Sequence, residues 1–166
     1  GKLDKKHIKT ITVAADNVGD NNAQSAALLA HGISLRAYRF DEYRKEKRQD
    51  KSFYFDVDNG KETKAQYQQL ANIESGVFLA RDLTSETATE MTPVDFVEEA
   101  KKLKKLGVKV KVLKPKELKK LGMGALEAVG RGSNDGSRLV IAHYQGSDDA
   151  PIDIAGKGIT FDSGGY

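Results

Sequence analysis

The sequence predicts an α/β chain in two parts, and three observations carry that expectation. Short runs of alternating apolar residues recur between longer stretches with apolar spacings of three and four. Glycine, proline, asparagine and aspartate mark the changes from one pattern to the other. Strands and helices alternate after residue 62, which predicts a largely parallel sheet flanked by helices over 62–166, behind a small mixed α/β region over 1–61.

The first strand is read over Ile8 to Ala15, where Ile11, Val13 and Ala15 share a face. Asp16-Asn17 and Gly19-Asp20 supply a turn and a candidate helix cap. From Asn22 a helix follows, with Ala23, Ala26, Ala27, Ala30, Ile33, Ala37 and Phe40 on one stripe. Small residues on that stripe predict close packing, and Gly32 is expected to admit a near neighbour. Ser52 to Val57 alternates with Phe53, Phe55 and Val57 inward, and Asp58-Asn59-Gly60 is a turn.

Lys64 to Leu83 reads as one long helix with Tyr67, Leu70, Ile73 or Glu74, Val77, Phe78 and Leu83 inward. Thr92-Pro93 starts the next helix, because threonine caps and proline suits the first turn. Val94 to Leu106 continues it, and Gly107 closes it. Val108, Val110 and Val112 alternate with lysines as a strand with one wet face. Lys116 to Leu121 is a short helix, and Met123 to Val129 is ambiguous between helix and strand. Leu139 to Tyr144 and Pro151 to Ala155 read as the last two strands.

Composition narrows the functional classes. With 39% hydrophobic and 31% charged residues, the 166-residue chain is ordinary for a globular protein. Without cysteine there is no disulfide, thiolate metal site or cysteine nucleophile in this sequence. No apolar run approaches the roughly 18–20 residues that cross a bilayer. The start, GKLDKKHIKT, lacks both an initiator methionine and the apolar stretch of a signal peptide, so the chain reads as an internal piece of a longer protein. Ten lysines and one acid, Glu117, fall within residues 101–120. That run offers a face to nucleic acid or an acidic partner, but no arginine or aromatic residue interleaves it, so a solvated face is the default.

The stretch GKGITFDSGGY, from Gly156 to Tyr166, holds Lys157 and Asp162 among glycines. In an open α/β sheet such a position beyond a strand's carboxyl end is where ligands bind. Three readings compete. A phosphate loop fails on spacing, since Pro151 stands where the first glycine belongs and Gly158 where the serine or threonine belongs. An ordinary glycine turn is the commonest fate of such a segment. A metal site would use the Asp162 carboxylate and a neutral Lys157 amine. Deprotonating a free lysine, pKa about 10.4, at pH 7 costs about 4.6 kcal/mol. A lysine ligand therefore needs strong positive charge beside it, such as two divalent ions sharing Asp162. His7, His31 and His143 form no pair at ligand spacing, and Ser133 and Ser163 lack the setting of a nucleophile.

GKGITFDSGG closely resembles the first metal-binding segment of the leucine (cytosol) aminopeptidases, a family of dinuclear metallo-exopeptidases. Further motifs follow the family order: Tyr38-Arg39-Phe40-Asp41-Glu42-Tyr43, then Ala80-Arg81-Asp82-Leu83 with Thr92-Pro93, then Leu121-Gly122-Met123-Gly124-Ala125-Leu126 with Val129-Gly130-Arg131-Gly132-Ser133. The likeness covers nearly the whole chain. It implies that 1–61 is the end of an N-terminal α/β domain and that 62–166 begins the catalytic domain. Lys157 would bind one metal and Asp162 would bridge both, the ions being manganese, zinc or magnesium. Such ions activate the scissile carbonyl and a bridging water, and the substrate's free α-amine binds one of them.

The resemblance further implies peptide substrates with a free N-terminus, leucine and similar residues removed first, a cytoplasmic homohexamer and no membrane. Ser85, Thr87 and Thr89 replace an Asn-x-Pro-x-Asn-like pattern, a change in a loop taken as structural. In the family a catalytic lysine, a second aspartate ligand, an Asp-x-Glu pair and an arginine follow the segment. None of these is in the 166 residues, so the catalytic residues are expected downstream of Tyr166 and none is assigned within the chain. The chain alone is accordingly expected to be inactive. The alternative is a non-catalytic α/β module that binds nucleic acid or an acidic partner through the 101–120 lysine face.

Overall fold

The computed structural model describes residues 8–15, 22–46 and 49–161, and the chain divides after Ser85 into two compact units. Asp16 to Asp20, read as a turn and cap, lie outside the described residues. In unit 1, β1 (Thr10–Ala14) pairs in parallel with β2 (Ser52–Asp56), from Thr10 opposite Ser52 to Ala14 opposite Asp56. Both strands alternate in burial, so Ile11, Val13, Phe53 and Phe55 turn inward as their period of two dictates. Helix α1 (Asn22–Ala37) buries Ala23, Ala26 and Ala27, the small stripe read from the sequence. It packs along α2 (Gly60–Ser85), a 26-residue helix that begins at the Asp58-Asn59-Gly60 turn.

That packing explains where the units divide. The expected boundary lay between residues 61 and 62, whereas α2 stays with α1 and the division falls after its end. Gly32 differs from expectation too, since a Cβ built there would meet nothing within 4 Å. The close contacts come from the alanines instead. Of the two candidates for the inward position on α2, Glu74 is buried and Ile73 is exposed.

In unit 2, α3 (Pro93–Lys102) opens on a reciprocal cap, with Asp95 N–H donating to Thr92 Oγ1 and Thr92 N–H donating to Asp95 Oδ2 at 3.1 Å. A 3-10 turn, Leu103–Leu106, extends it, and Gly107 closes it at φ 84, the left-handed conformation that favours glycine. Strand β3 (Lys109–Leu113) leads to two short helices, α4 (Pro115–Lys120) and α5 (Gly124–Gly130), and then to β4 (Leu139–His143). The ambiguous stretch 123–129 is thus helical. Val97, Leu113 and Leu118 form the buried apolar centre of this unit.

The α/β class holds in both units, but the strand pairing of unit 2 departs from the parallel expectation. Among the described residues β4 runs antiparallel to β3, with Lys109 opposite His143 and Leu113 opposite Leu139. The connection breaks at Gly122, φ 69, into two short helices rather than one crossover helix, so the chain doubles back. Residues 151–155 also depart from expectation: they form no strand, and Ile152 and Ile154 are 90% and 92% exposed. A strand needs a ladder neighbour, and alternating isoleucines do not supply one.

Candidate functional site

Lys157 sits in an extended stretch, 151–161, that is neither helix nor strand and is exposed almost throughout. The stretch passes α3, since a Cβ at Gly158 would lie 4.0 Å from Phe96 Cζ. The rest of the motif, Asp162, Ser163, Gly164, Gly165 and Tyr166, lies outside the described residues. The expectation that catalytic residues follow Tyr166 therefore concerns positions beyond both the described residues and the 166-residue sequence. Among the described residues no three histidine, cysteine, aspartate or glutamate side chains cluster as a metal site would require. A divalent ion takes four or more ligands. One exposed amine does not meet that requirement, so the described residues do not by themselves fit a two-ion centre.

The motifs that precede this stretch have structural work, each in its own unit. In α2, Arg81 Nη1 donates to Leu35 O at 2.7 Å, and its guanidinium lies 5.2 Å from the Tyr38 ring centre. Tyr38 stacks on Phe78 and donates its hydroxyl to Asp82 Oδ1 at 2.7 Å. Ala80-Arg81-Asp82-Leu83 therefore staples α2 to the end of α1. In unit 2, Gly130 is required by close approach: a Cβ there would fall 2.6 Å from Ser137 N and against Ser137 Oγ. Ser137 Oγ in turn donates to Leu126 O at 2.6 Å, which locks the loop onto α5. Ser133 Oγ accepts from Asp135 N–H at 3.2 Å, a local loop contact.

A buried polar cluster in unit 1 escaped the sequence reading. The Glu74 carboxylate, 4% exposed, meets His31 Nδ1 at 2.7 Å through Oε1. Its Oε2 accepts from Ser34 Oγ at 2.7 Å and from Tyr67 OH at 3.0 Å. Burial pushes the Tyr67 phenol above its ordinary pKa; the Ser34 hydrogen bond opposes this and the Glu74 carboxylate adds to it. The signal was present as spacing: His31 and Ser34 are one helical turn apart, and Tyr67 and Glu74 two turns apart. Which helix faces met could not be read from either spacing alone.

The lysine face is partly neutralised within α3, where Lys101 and Lys102 pair with Glu98 and Glu99 at 2.6 and 2.5 Å. No helix among the described residues is long and apolar enough to cross a membrane.

Comparison with known proteins covers both units. Residues 1–47 match the cytosol aminopeptidase family's N-terminal domain, and residues 78–166 match its catalytic domain. A probable cytosol aminopeptidase 1 of Shewanella oneidensis is 49% identical over 156 residues, 93% of this chain and 31% of that protein. A probable cytosol aminopeptidase of Chelativorans is 40% identical over 169 residues, 96% of this chain and 34% of the relative. The chain thus spans about a third of the length of these relatives. Among solved structures, the bottromycin maturation enzyme BotP in complex with Mn superposes with a TM-score of 0.69 at 28% identity, over 82% of this chain and 30% of that one. A tomato leucine aminopeptidase mutant, at 24% identity and TM-score 0.68, shares the fold over 80% of this chain and 28% of its own.

Proposed function

The chain belongs to the cytosol aminopeptidase family, and from that premise we propose that it serves a metal-dependent aminopeptidase that removes N-terminal residues, leucine and similar ones, from peptides. Lys157 and Asp162 are proposed as two ligands of its dinuclear centre, with Asp162 shared between the ions and the catalytic residues downstream of Tyr166. The match of residues 78–166 to the catalytic domain carries this reading, because it contains GKGITFDSGG behind the other motifs in family order. Manganese is favoured by the manganese complex of the similar BotP, with zinc and magnesium as the other candidates. A cytoplasmic homohexamer acting on peptides with a free N-terminus completes the proposal, and the family's name supports the compartment.

On this reading the 166 residues alone do not hydrolyse an aminoacyl-anilide at any manganese concentration. A chimera continuing this chain past Tyr166 with the corresponding stretch of the Shewanella oneidensis relative does so. In that chimera Lys157→Ala or Asp162→Asn lowers kcat/KM at least about 100-fold, more than the loss of a residue that merely supports a metal ligand. Hydrolysis by the isolated chain would overturn the placement of the catalytic residues downstream of Tyr166, and full activity in both variants would falsify the ligand assignment.

A further inference from the structure

The turn from β2 to α2 ends on Asn59, and α2 starts on Gly60. Asn59 is the one asparagine of the sequence that precedes a glycine. Both residues are exposed, and Asp58, Lys61 and Glu62 line an open hollow with them. An asparagine side chain is attacked most readily by the backbone nitrogen of the residue that follows, which closes a five-membered succinimide ring. Glycine in that place puts no Cβ in the way and lets the backbone rotate toward closure. Nothing nearby hinders it at Gly60 either, where even an added Cβ would come no closer than 3.8 Å to Val57 Cγ2.

The attacking nitrogen is also unengaged. Gly60 opens α2, and the first N–H groups of a helix have no intrahelical acceptor. Among the described residues the Gly60 N–H makes no hydrogen bond, whereas Thr63 N–H donates to Asn59 O at 2.9 Å. Two other asparagines lack these conditions. Asn72 is exposed as well, but it lies inside α2, where the Ile73 N–H belongs to the helical ladder and a β-branched side chain crowds the approach. Asn134 precedes Asp135, whose N–H donates to Ser133 Oγ at 3.2 Å.

We propose that Asn59-Gly60 is a site of spontaneous deamidation that the fold leaves open, and that its isoaspartyl product unfastens the start of α2. The Gly60 nitrogen gives its proton to solvent base and bonds to Asn59 Cγ, and the side-chain amide nitrogen departs as ammonia. Water then opens the ring at either carbonyl. One water is consumed for each ammonia released, and nothing is oxidised or reduced. Opening at the side-chain carbonyl gives aspartate with the main chain unchanged. Opening at the backbone carbonyl gives isoaspartate, which routes the main chain through the former side chain and lengthens it by one methylene. The carbonyl that accepted from Thr63 N–H then leaves the main chain as a free carboxylate.

The test is mass spectrometry of the 166-residue chain aged in mildly alkaline buffer made with heavy-oxygen water. Digestion in ordinary water keeps any loss during handling unlabelled. Trypsin releases Ser52 to Lys61, in which Asn59 is the only amide side chain. That peptide is expected to take up one heavy oxygen and to split into two isomers, isoaspartate the more abundant. The 65–81 peptide is expected to keep Asn72 intact. Gly60→Ala, for which there is room, is expected to slow the loss about tenfold or more, a rise of about 1.4 kcal/mol in the barrier. In the isoaspartyl fraction the Thr63 amide is expected to exchange about fivefold faster, as the loss of one backbone hydrogen bond requires. Asn59→Asp, with an ordinary main chain, keeps the parent's exchange. Asn59 lost no faster than Asn72, aspartate without isoaspartate, or a G60A chain that ages as fast as the parent would each overturn the site. Unchanged Thr63 exchange in the isoaspartyl fraction would overturn its effect on α2. No readout here involves a metal or a cleaved peptide, so such failures leave the aminopeptidase reading untouched.

Discussion

Glu74 in unit 1 is buried and held by His31 and Ser34, 43 and 40 positions earlier in the chain. Lys157 in unit 2 lies exposed in an extended stretch reached through caps and glycines that act over a few residues. The two units thus order their polar groups by different means. In unit 1 two helices must meet before the carboxylate is satisfied, and the small stripe Ala23, Ala26 and Ala27 lets them approach. In unit 2 the backbone is fixed locally at Thr92, Gly107 and Gly130, each acting without a distant partner. Tertiary satisfaction makes one region sensitive to the loss of a single side chain, and local geometry makes the other sensitive to the gain of one.

The largest expected effect follows from removing the Glu74 carboxylate. Glu74→Ala leaves the His31, Ser34 and Tyr67 polar groups facing one another without their common acceptor, and opens a gap between α1 and α2. A cost of about 2–4 kcal/mol is expected in urea unfolding followed by the circular dichroism of the chain. A loss below about 0.5 kcal/mol, the level of an ordinary surface change, would mean the cluster does not hold the helices together.

The gain of one methyl group probes unit 2. Gly130→Ala drives a Cβ into the Ser137 backbone, and about 1–3 kcal/mol is the expected cost of such overpacking. Removing the Ser137 hydroxyl at the same time relieves only part of it, because the Ser137 N contact at 2.6 Å remains. Full rescue by S137A would show that the hydroxyl alone excludes the methyl. The reverse holds on α1, where Gly32→Ala meets open space and should stabilise unit 1 by about 0.5–1 kcal/mol through helix propensity alone. Destabilisation by Gly32→Ala would restore the close neighbour that the sequence suggested and the structure lacks.

These contrasts also show what could be read in advance. Thr92-Pro93, Gly107 and the alternating strands β1, β2 and β3 were legible because their causes lie within a few residues. The Glu74 cluster was not, because periodicity identifies a face and not what the face meets. The stretch 151–155 misled for the same reason in reverse: Ile152 and Ile154 alternate as a strand does, but nothing in a linear pattern provides the neighbouring ladder. The short helix 116–121 was legible, but the antiparallel direction of β4 was not, because two short helices leave open which way the next strand runs. For the candidate metal site, Lys157 and Asp162 were legible as a motif through family likeness, while neither spacing nor the described geometry supplies the ligands around them.

The smallest effect separates the units by pH. Asp95 is held below its ordinary pKa, chiefly by the hydrogen bond to the Thr92 side chain and then by the Thr92 backbone N–H. A depressed carboxylate pKa means that its contribution is complete above the ordinary aspartate value, about 4, and disappears as pH falls through the folded value. Tyr67 has the opposite sign: burial raises its pKa, so its contribution is complete below about 10 and disappears as pH rises through the folded value. Acid should therefore loosen the start of α3 first, and alkali the α1–α2 contact. Amide exchange at Phe96 and Val97 reports the first, and tyrosinate absorbance in the parent and in Tyr67→Phe reports the second. Asp95→Asn should abolish the acid response at α3 while leaving the alkaline one intact. If Asp95→Asn kept the acid response, or if both units loosened at the same end of the scale, the cap and the cluster would not be the separate devices that their hydrogen bonds describe.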